Sequence, residues 1–251
     1  SRGENAAIIR RGDLEQVGTT ADGYPEYDSV REASFVLTNS DRNPASQSFS
    51  LGLSKAFDNG FDFTVGYSYN DAEDAQPMTS SVAFSNYTNR AYFDPQEDVL
   101  STSNYNIEHR FTFTTTWRKT FFERFPTVMS LYGSTNTGRP YSVTVDSFPI
   151  YGFTPFMDGD NALEPGVARN NETGSTWTKI DFRFDVGIPI LSDADRLAFF
   201  MVIDNLTNLL NDDWGILKQH AFPRTVVAGT PEPRIGDASR YEIRFGVKYD
   251  F

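Results

Sequence analysis

Two histidines, His109 and His220, are the side chains best suited to acid–base catalysis near neutral pH. A catalytic histidine needs a carboxylate or hydroxyl partner within hydrogen-bond reach. Glu108 and Arg110 flank His109, but neighbours on a strand point to opposite faces, so this spacing argues against a catalytic pair. The chain also has no cysteine, no Walker motif, no dinucleotide fingerprint and no HExxH segment. We therefore expect that the protein is not an enzyme.

Oxygen-rich side chains gather in the segment MDGDNALEPG, residues 157–166. Carboxylate and amide oxygens are the ligands that calcium prefers. The candidate ligands are Asp158, Asp160, Asn161 and Glu164. The full EF-hand spacing is absent, and a solvated acidic loop is the alternative interpretation. A second acidic segment, NDAEDAQ at 70–76, gives a weaker signal, and no cofactor other than structural calcium is predicted.

Aromatic residues in the long polar segments are candidates for contact with a ligand. Their rings could stack on a sugar or grip a siderophore or a peptide. The candidates are Tyr87, Tyr92, Tyr151, Phe153 and Trp214. The alternative is that these rings pack the long loops against one another.

The composition narrows the class of protein. The 251 residues include 34 acidic and 22 basic side chains, and a net charge of -12 argues against a general nucleic-acid binder, which needs a basic surface. No segment approaches the ~20 apolar residues of a membrane-spanning helix, and the longest apolar run is LAFFMVI at 197–203. A helical membrane protein is therefore excluded. Membrane β-barrels are not, because their strands are only about half apolar.

Alternation of apolar and polar residues predicts seven strands. They cover residues 48–57, 61–69, 107–118, 127–134, 178–188, 196–204 and 241–251. The DNG turn at 58–60 joins the first two as a hairpin. The segment 196–204 is apolar on both faces, so we expect it to be buried on both sides or pressed against a group that fills a lumen.

The connections between these strands alternate in length. Short ones are predicted at 58–60, about 119–126 and about 189–195, and long ones at about 70–106, 135–177 and 205–238. This alternation is typical of up-and-down membrane barrels, which have short periplasmic turns and long extracellular loops. Aromatics near strand ends, such as Phe57, Phe61 and Trp117, fit an interfacial belt, although aromatics also favour strands in general. Charges of alternating sign on the polar face are predicted to form cross-strand ion pairs inside a lumen.

Three segments carry a resemblance to a known family. The terminal YEIRFGVKYDF resembles the β-signal that the barrel-assembly machinery reads, with the apolar positions Tyr241, Ile243, Phe245, Val247, Tyr249 and Phe251. The segments MVIDNLTNLLNDDWG at 201–215 and STNTGRPYSV at 134–143 resemble strand and loop sequences of TonB-dependent outer-membrane receptors. NDDWG together with FPRTV resembles the Oar-like subgroup of that family.

The resemblance implies an all-β, antiparallel up-and-down transmembrane β-barrel portion in the outer membrane of a Gram-negative bacterium. Residues 1–45 would be an extracellular loop or partial hairpin, and 46–251 the C-terminal barrel strands. Barrels of this family have about 22 strands and an N-terminal plug. The predicted seven or eight strands would need the remaining strands and the plug, in the same or another chain. The implied partners are outer-membrane lipid, the barrel-assembly machinery and, through the plug, the TonB complex. The implied cargo is a bulky solute such as a siderophore, a glycan or a peptide.

Two other interpretations remain open. A secreted β-sandwich adhesin or glycan-binding module would place the alternating apolar faces against each other in a core. A structural scaffold of a larger envelope assembly would keep the barrel strands without transport.

Overall fold

Most of the chain forms strands, because β-branched and aromatic residues alternate with polar ones over long segments. The computed structural model describes residues 6–12, 14–29, 34–145, 161–189 and 196–250. The first strands are β1 (Ala7–Arg11), β2 (Leu14–Thr19), β3 (Pro25–Ser29), β4 (Phe35–Asn39), β5 (Ser46–Ala56), β6 (Phe61–Asp74), β7 (Ser101–Thr102) and β8 (His109–Phe121). The later ones are β9 (Phe125–Asn136), β10 (Pro140–Thr144), β11 (Glu172–Thr173), β12 (Trp177–Pro189), β13 (Arg196–Asp204), β14 (Thr225–Val227) and β15 (Glu242–Asp250).

The helical elements of the described residues are short. The helices are α1 (Ala83–Thr88) and α2 (Leu206–Leu210), and a 3-10 turn covers Asp237–Ser239. None of the described helices has the length and hydropathy that crossing a membrane requires.

Seven long strands lie side by side in chain order in one antiparallel sheet. The order is β5, β6, β8, β9, β12, β13 and β15, so long strands that are consecutive in the chain pair with each other. This confirms the prediction of up-and-down antiparallel strands, and β6 extends beyond its predicted end to Asp74. The described short turns span 57–60 and 122–124, and the third predicted short turn lies outside the described residues.

The strand register places nearly all the large apolar side chains on one face of the sheet. Leu51 stands opposite Tyr67, and Tyr67 stands opposite Phe111. On the other side of the sheet, Phe182 pairs with Ile203, and Ile203 with Ile243. We call this surface the apolar face and the opposite one the polar face. Because side chains alternate, a one-residue slip of any strand would move its apolar residues to the wrong face.

No second sheet covers the apolar face in the described part of the chain. Leu51 is 64% exposed, Phe245 65% and Val247 64%. A soluble domain normally buries such a surface, because each large apolar side chain contributes about 1.5–3 kcal/mol when it leaves water. An exposed apolar surface spanning seven strands marks a contact with another partner or with lipid.

The polar face carries ion pairs, as the alternating charges predicted. Arg118 pairs with Asp62 and Arg244 with Asp204, each between neighbouring strands. Two other pairs join residues of the same strand, β12: Lys179 Nζ lies 3.0 Å from Asp181 Oδ1, and Arg183 Nη2 lies 2.7 Å from Asp185 Oδ1. The pairing is therefore only partly cross-strand. Partly exposed pairs of this kind contribute little to stability.

The apolar strand β13 is half-buried in the described chain, so the prediction that it is buried on both sides was wrong, and its contact with a group that fills a lumen stays a prediction. Phe200 projects from it onto the polar face, where its ring covers Gly246. The guanidinium of Arg183 lies 5.4 Å from the centre of that ring. On the polar face, the Phe200 ring of β13 therefore packs against a neighbouring glycine and a cation. No second apolar layer of described residues covers it.

The hydrophobic core of the described residues lies in the connections instead of against the sheet. Residues 6–12, 14–29, 34–45, 75–106 and 161–172 pack together, and we call this region the loop cap. Its buried apolar side chains are Ile8, Ile9, Tyr24, Tyr27, Ala75, Tyr87, Ala91, Tyr92, Ala162 and Leu163. Within it, β1 pairs with β4 and β2 with β3, so the stretch predicted as a loop or partial hairpin contains two nested antiparallel ribbons.

Candidate binding site in the loop cap

Two of the aromatic residues predicted to contact a ligand are buried in the loop cap. Tyr87 is 3% exposed, its ring meets that of Phe35 edge-on at 5.6 Å, and its hydroxyl donates to Gln96 Oε1 at 3.3 Å. Tyr92 is 4% exposed, and the guanidinium of Arg90 lies 5.8 Å from its ring centre. Burial of both rings accords with the alternative that they pack the loops.

The other aromatic candidates differ in position. Trp214 is 56% exposed, so most of its ring faces solvent. Its backbone carbonyl accepts a hydrogen bond from Asn208 Nδ2 at 3.1 Å, in the loop that follows β13. Tyr151 and Phe153 lie outside the described residues. Of the aromatic candidates that the structure describes, Trp214 alone presents an open ring surface.

The predicted calcium ligands are only partly described. Asp158 and Asp160 lie outside the described residues. Asn161 is buried, and its Nδ2 donates to the Thr88 carbonyl at 3.1 Å, while its Oδ1 has no hydrogen-bond partner in the described chain. Glu164 is exposed. Within the described ranges, no three histidine or carboxylate residues lie close enough together to hold a metal ion. The calcium site stays a prediction.

The asparagines of the segment 201–215 turn the chain back after β13. Asn205 is fully buried with φ 56°, a left-handed conformation that asparagine tolerates better than most residues. Its Oδ1 accepts from the Thr207 hydroxyl at 2.6 Å, and its Nδ2 donates to the Gly215 carbonyl at 3.0 Å. Asn208 Nδ2 donates to the carbonyls of Asp212 and Trp214, both at 3.1 Å. This motif therefore has a structural role in the loop.

The segment 134–143 joins the end of β9 to the loop cap. A Cβ atom on Gly138 would overlap the backbone of Gly174, so only glycine allows this approach. The Ser142 hydroxyl accepts from the Asn170 backbone N–H at 2.8 Å. The ring of Tyr141 lies 4.6 Å from that of His220, which is 3% exposed. His220 is thus a buried packing residue.

The imidazole of His109 contacts two polar groups, and strand alternation had not predicted these contacts. Its Nδ1 lies 2.9 Å from the Tyr67 hydroxyl, and its Nε2 lies 3.4 Å from Glu108 Oε1. The prediction that Glu108 points away from His109 was wrong, because Glu108 lies one residue before β8, where strand alternation does not yet apply. About half of each side chain is exposed, at 49% for His109 and 46% for Glu108. No serine or threonine hydroxyl is recorded in contact with this imidazole in the described chain, so the contact resembles no catalytic triad.

An open groove of about 540 Å³ separates the β2–β3 ribbon from the loop around Asp94 and Glu97. The Tyr27 hydroxyl donates to Asp94 Oδ1 at 2.7 Å. Burial raises the pKa of Tyr27, and this hydrogen bond raises it further. Burial also raises the pKa of Glu97, with a contribution from the charge of Asp94. This groove is acidic and mostly open to solvent.

A second cavity, of about 310 Å³, lies where the sheet meets the loop cap, and we call it the polar cleft. It is bounded by the end of β6, the residues just before β8, and the first residues after β9. Its lining consists of Tyr69, Asp71, Thr102, Asn106, Glu108, Gly138, Pro140, Asn170 and Thr173. Two carboxylates, two amides and two threonine hydroxyls make it rich in hydrogen-bonding groups.

A buried hydrogen-bond network supports the polar cleft. Asn170 Nδ2 donates to the Thr102 carbonyl and to Asn104 Oδ1, both at 2.6 Å. Arg169 is 5% exposed, and its guanidinium donates to Asn104 Oδ1 at 3.3 Å and to Asp74 Oδ1 at 2.5 Å. Buried polar groups with satisfied partners rigidify their surroundings. The floor of the cleft is therefore held in one arrangement before any ligand arrives.

Sequence reasoning did not find the polar cleft, although it marked 70–76 as an acidic segment. The cleft is assembled from four separate parts of the chain, 69–71, 102–108, 138–140 and 170–173. An excess of acidic and amide residues close to predicted strand ends was the one signal in the sequence. The predicted assembly residues Tyr241, Ile243, Phe245, Val247 and Tyr249 lie exposed at β15, and Phe251 is outside the described residues.

In comparisons with known proteins, no family model, no curated protein and no solved structure matches this chain.

Proposed function

We propose that this chain is the C-terminal barrel portion of a TonB-dependent outer-membrane receptor that moves a bulky solute across the outer membrane. The observation that carries the proposal is the apolar face that seven up-and-down strands share, with exposed side chains such as Leu51, Phe111 and Phe245. Barrel strands that face lipid show the same division into an apolar outer face and a polar inner face. The loop cap would then lie on the extracellular side, and the short turns on the periplasmic side.

Aromatic side chains at the short-turn end support the proposal. Phe57 and Phe61 flank one turn with ring centres 6.0 Å apart, and Trp117 meets Phe121 edge-on at 5.9 Å. Lys119 Nζ lies 5.6 Å from both of the latter ring centres. Amphipathic rings and lysines with long apolar stems are enriched where hydrocarbon meets water. This end of the sheet therefore suits the boundary of a membrane.

The two edges of the sheet indicate that more strands are needed. Among the described strands, β5 and β15 each pair on one side only. An unpaired strand edge in hydrocarbon leaves backbone N–H and C=O groups without partners, at a cost of several kcal/mol per group. On this proposal the remaining strands and the plug complete the barrel, and the plug couples transport to the TonB complex. The terminal strand β15 would be the part that the barrel-assembly machinery recognises.

Membrane fractionation tests the proposal. The protein, produced with its native flanking sequence in a Gram-negative host, is expected in the outer-membrane fraction, extracted by detergent but not by buffer. Folded barrels migrate differently on gels before and after heating, so a heat-dependent shift is also expected. A stable monomer that stays in buffer without detergent would contradict the proposal and favour a secreted β-sandwich.

A further inference from the structure

We propose that the polar cleft binds one ring of a neutral saccharide. The inference goes beyond the proposed function, because Tyr69 and Asp71 of the cleft lie on the same face of β6 as Tyr67, outside the polar face that would line a lumen. Binding itself depends on the cleft alone. With a volume of about 310 Å³, the cleft falls at the small end of the range of ligand pockets.

The charges of the cleft select against anions. Asp71 and Glu108 both line it, and none of the described residues that line it is a lysine or an arginine. A phosphate, a carboxylate or an anionic iron chelate would bring like charge to these two groups, which is unfavourable. A neutral polyol instead supplies hydroxyl donors, and hydrogen bonds from hydroxyls to carboxylates are among the stronger neutral-to-charged contacts.

The cleft contains two side-chain oxygen acceptors that have no hydrogen-bond partner within the described chain. Asn106 is 8% exposed, and its Oδ1 is buried without a hydrogen bond. The carboxylate of Asp71 forms no hydrogen bond or ion pair with another described residue, and Asp71 is exposed at the mouth of the cleft. A buried amide oxygen without a partner costs free energy, so the site favours a ligand that donates to it. Each hydroxyl of a sugar ring is such a donor.

A second feature of the cleft fits a sugar ring and not a metal ion. Tyr69 contributes a half-buried aromatic ring to one wall, and Pro140 contributes apolar ring surface. The Tyr69 ring is held by the imidazole of His109, with ring centres 5.4 Å apart. The C–H faces of a sugar pack on an aromatic ring, whereas calcium needs six to eight oxygen ligands. The cleft therefore offers apolar surface for the C–H faces of a pyranose ring and oxygen acceptors for its hydroxyl groups.

Binding of neutral trisaccharides to the purified full-length protein in detergent tests the inference. Maltotriose, cellotriose and mannotriose are the probes, and saturation-transfer NMR together with tyrosine fluorescence gives the readout. At least one probe is expected to bind, and Asp71→Asn is expected to weaken it about tenfold or more, because a charged acceptor becomes neutral. Asn106→Leu should abolish binding. Since Asn106 is buried and its variant can fail to fold, the exposed Asp71→Asn carries the test independently.

Matched controls separate the cleft from general effects of charge. Asp213→Asn removes an exposed carboxylate outside the cleft and should leave the affinity unchanged. Trigalacturonate should bind at least tenfold more weakly than the best neutral probe. The inference is overturned if no neutral probe binds, if Asp71→Asn binds as well as the unmodified protein, or if calcium or spermidine binds the cleft in place of sugar.

The outcomes also distinguish this inference from the proposed function. A protein that fractionates with the outer membrane but binds none of the sugars overturns the inference alone. A protein that stays soluble in buffer and still binds sugar, with the same loss in Asp71→Asn, overturns the proposed function alone.

Discussion

Amide side chains take the place of missing backbone partners throughout the loop cap. Gln96 receives the Arg11 N–H at 2.9 Å and donates to the Arg11 carbonyl at 2.7 Å, as a neighbouring strand would. Gln76 accepts from the Ile9 N–H at 2.5 Å. Long irregular segments carry many backbone groups that cannot be left unpaired when buried. We therefore expect the folding of the loop cap to depend on a few glutamine and asparagine side chains that bind its backbone.

Replacing Asn205 should show how much one such amide contributes. Asn205→Ala removes three side-chain hydrogen bonds and forces alanine into a left-handed conformation, so we expect a loss of about 2–4 kcal/mol. Asn205→Gly keeps the permitted backbone and should lose less than the alanine variant. Asn43→Ala, at an exposed position where the side chain makes no hydrogen bond with the described residues, is the control. Thermal unfolding followed by circular dichroism measures the difference, and equal midpoints for Ala and Gly would contradict the backbone part of the argument.

The carboxyl group of Glu97 makes the stability of the cap depend on pH. Burial raises its pKa above the ordinary value of 4.5, so the folded chain keeps this proton at a pH where the unfolded chain has lost it. The ionised group therefore destabilises the fold at neutral pH, and the penalty disappears as the pH falls through the unfolded value.

Glu97→Gln should raise the midpoint of thermal unfolding at pH 7 and have no effect well below pH 4.5. The expected gain is small, about 0.5 kcal/mol, because solvent screens a partly exposed group. Glu123→Gln, in the exposed turn after β8, should change the midpoint at neither pH. A gain for Glu97→Gln that grew toward acidic pH would have the wrong sign and would contradict this account.

Two strand pairs in the sheet use an aromatic ring to cover a glycine. The ring of Phe113 on β8 lies over Gly133 of β9 on the apolar face, and that of Phe200 lies over Gly246 on the polar face. An aromatic ring that covers a strand glycine restores contacts that the missing side chain would have made. These pairs help to fix the register of the two strand pairs.

Gly133→Ala should test this arrangement, because the new methyl group would collide with the Phe113 ring. We expect a destabilisation of about 1–3 kcal/mol, typical of overpacking. Gly52→Ala is the matched control in the same sheet, since the nearest atom to its new Cβ would be 3.9 Å away. That control should be neutral or slightly stabilising. If the two alanine variants are equally stable, the position of the Phe113 ring does not require a glycine at residue 133.

At the scale of the whole molecule, the question is whether the apolar face contacts lipid or water. Leu51 lies near the middle of β5 and is 64% exposed, while its neighbour Ser50 points to the polar face. In water an exposed leucine can become arginine at little cost. In hydrocarbon the same change costs about 2–4 kcal/mol near the midplane.

Leu51→Arg should therefore lower the folded, heat-modifiable fraction in outer membranes, and Ser50→Arg should not. Each variant adds one positive charge, and the two positions are adjacent in the chain. A difference between their folded fractions therefore depends on which face carries the arginine and not on the added charge. Equal behaviour of the two variants would be evidence against lipid at the apolar face.

Strands were predictable from the sequence, and the loop cap was not. A period of two over nine to fourteen residues leaves one register that puts Phe182, Ile203 and Ile243 on the same face. The cap instead depends on contacts such as that between Ile9 and Gln76, which are 67 residues apart. Amide-to-backbone hydrogen bonds have no periodicity. The N-terminal ribbons and the polar cleft therefore had no local signal strong enough to locate them.

The chain order of the sheet has a kinetic consequence. Each long strand pairs with its sequence neighbours, and the two described hairpin turns are only three or four residues long, so hairpins β5–β6 and β8–β9 can close early. The cap must wait for segments 57 to 95 residues apart to meet, as in the contact between Asp74 and Arg169. Pulsed hydrogen exchange during refolding should therefore find protected amides in the β5–β6 and β8–β9 hairpins before it finds them in the loop cap.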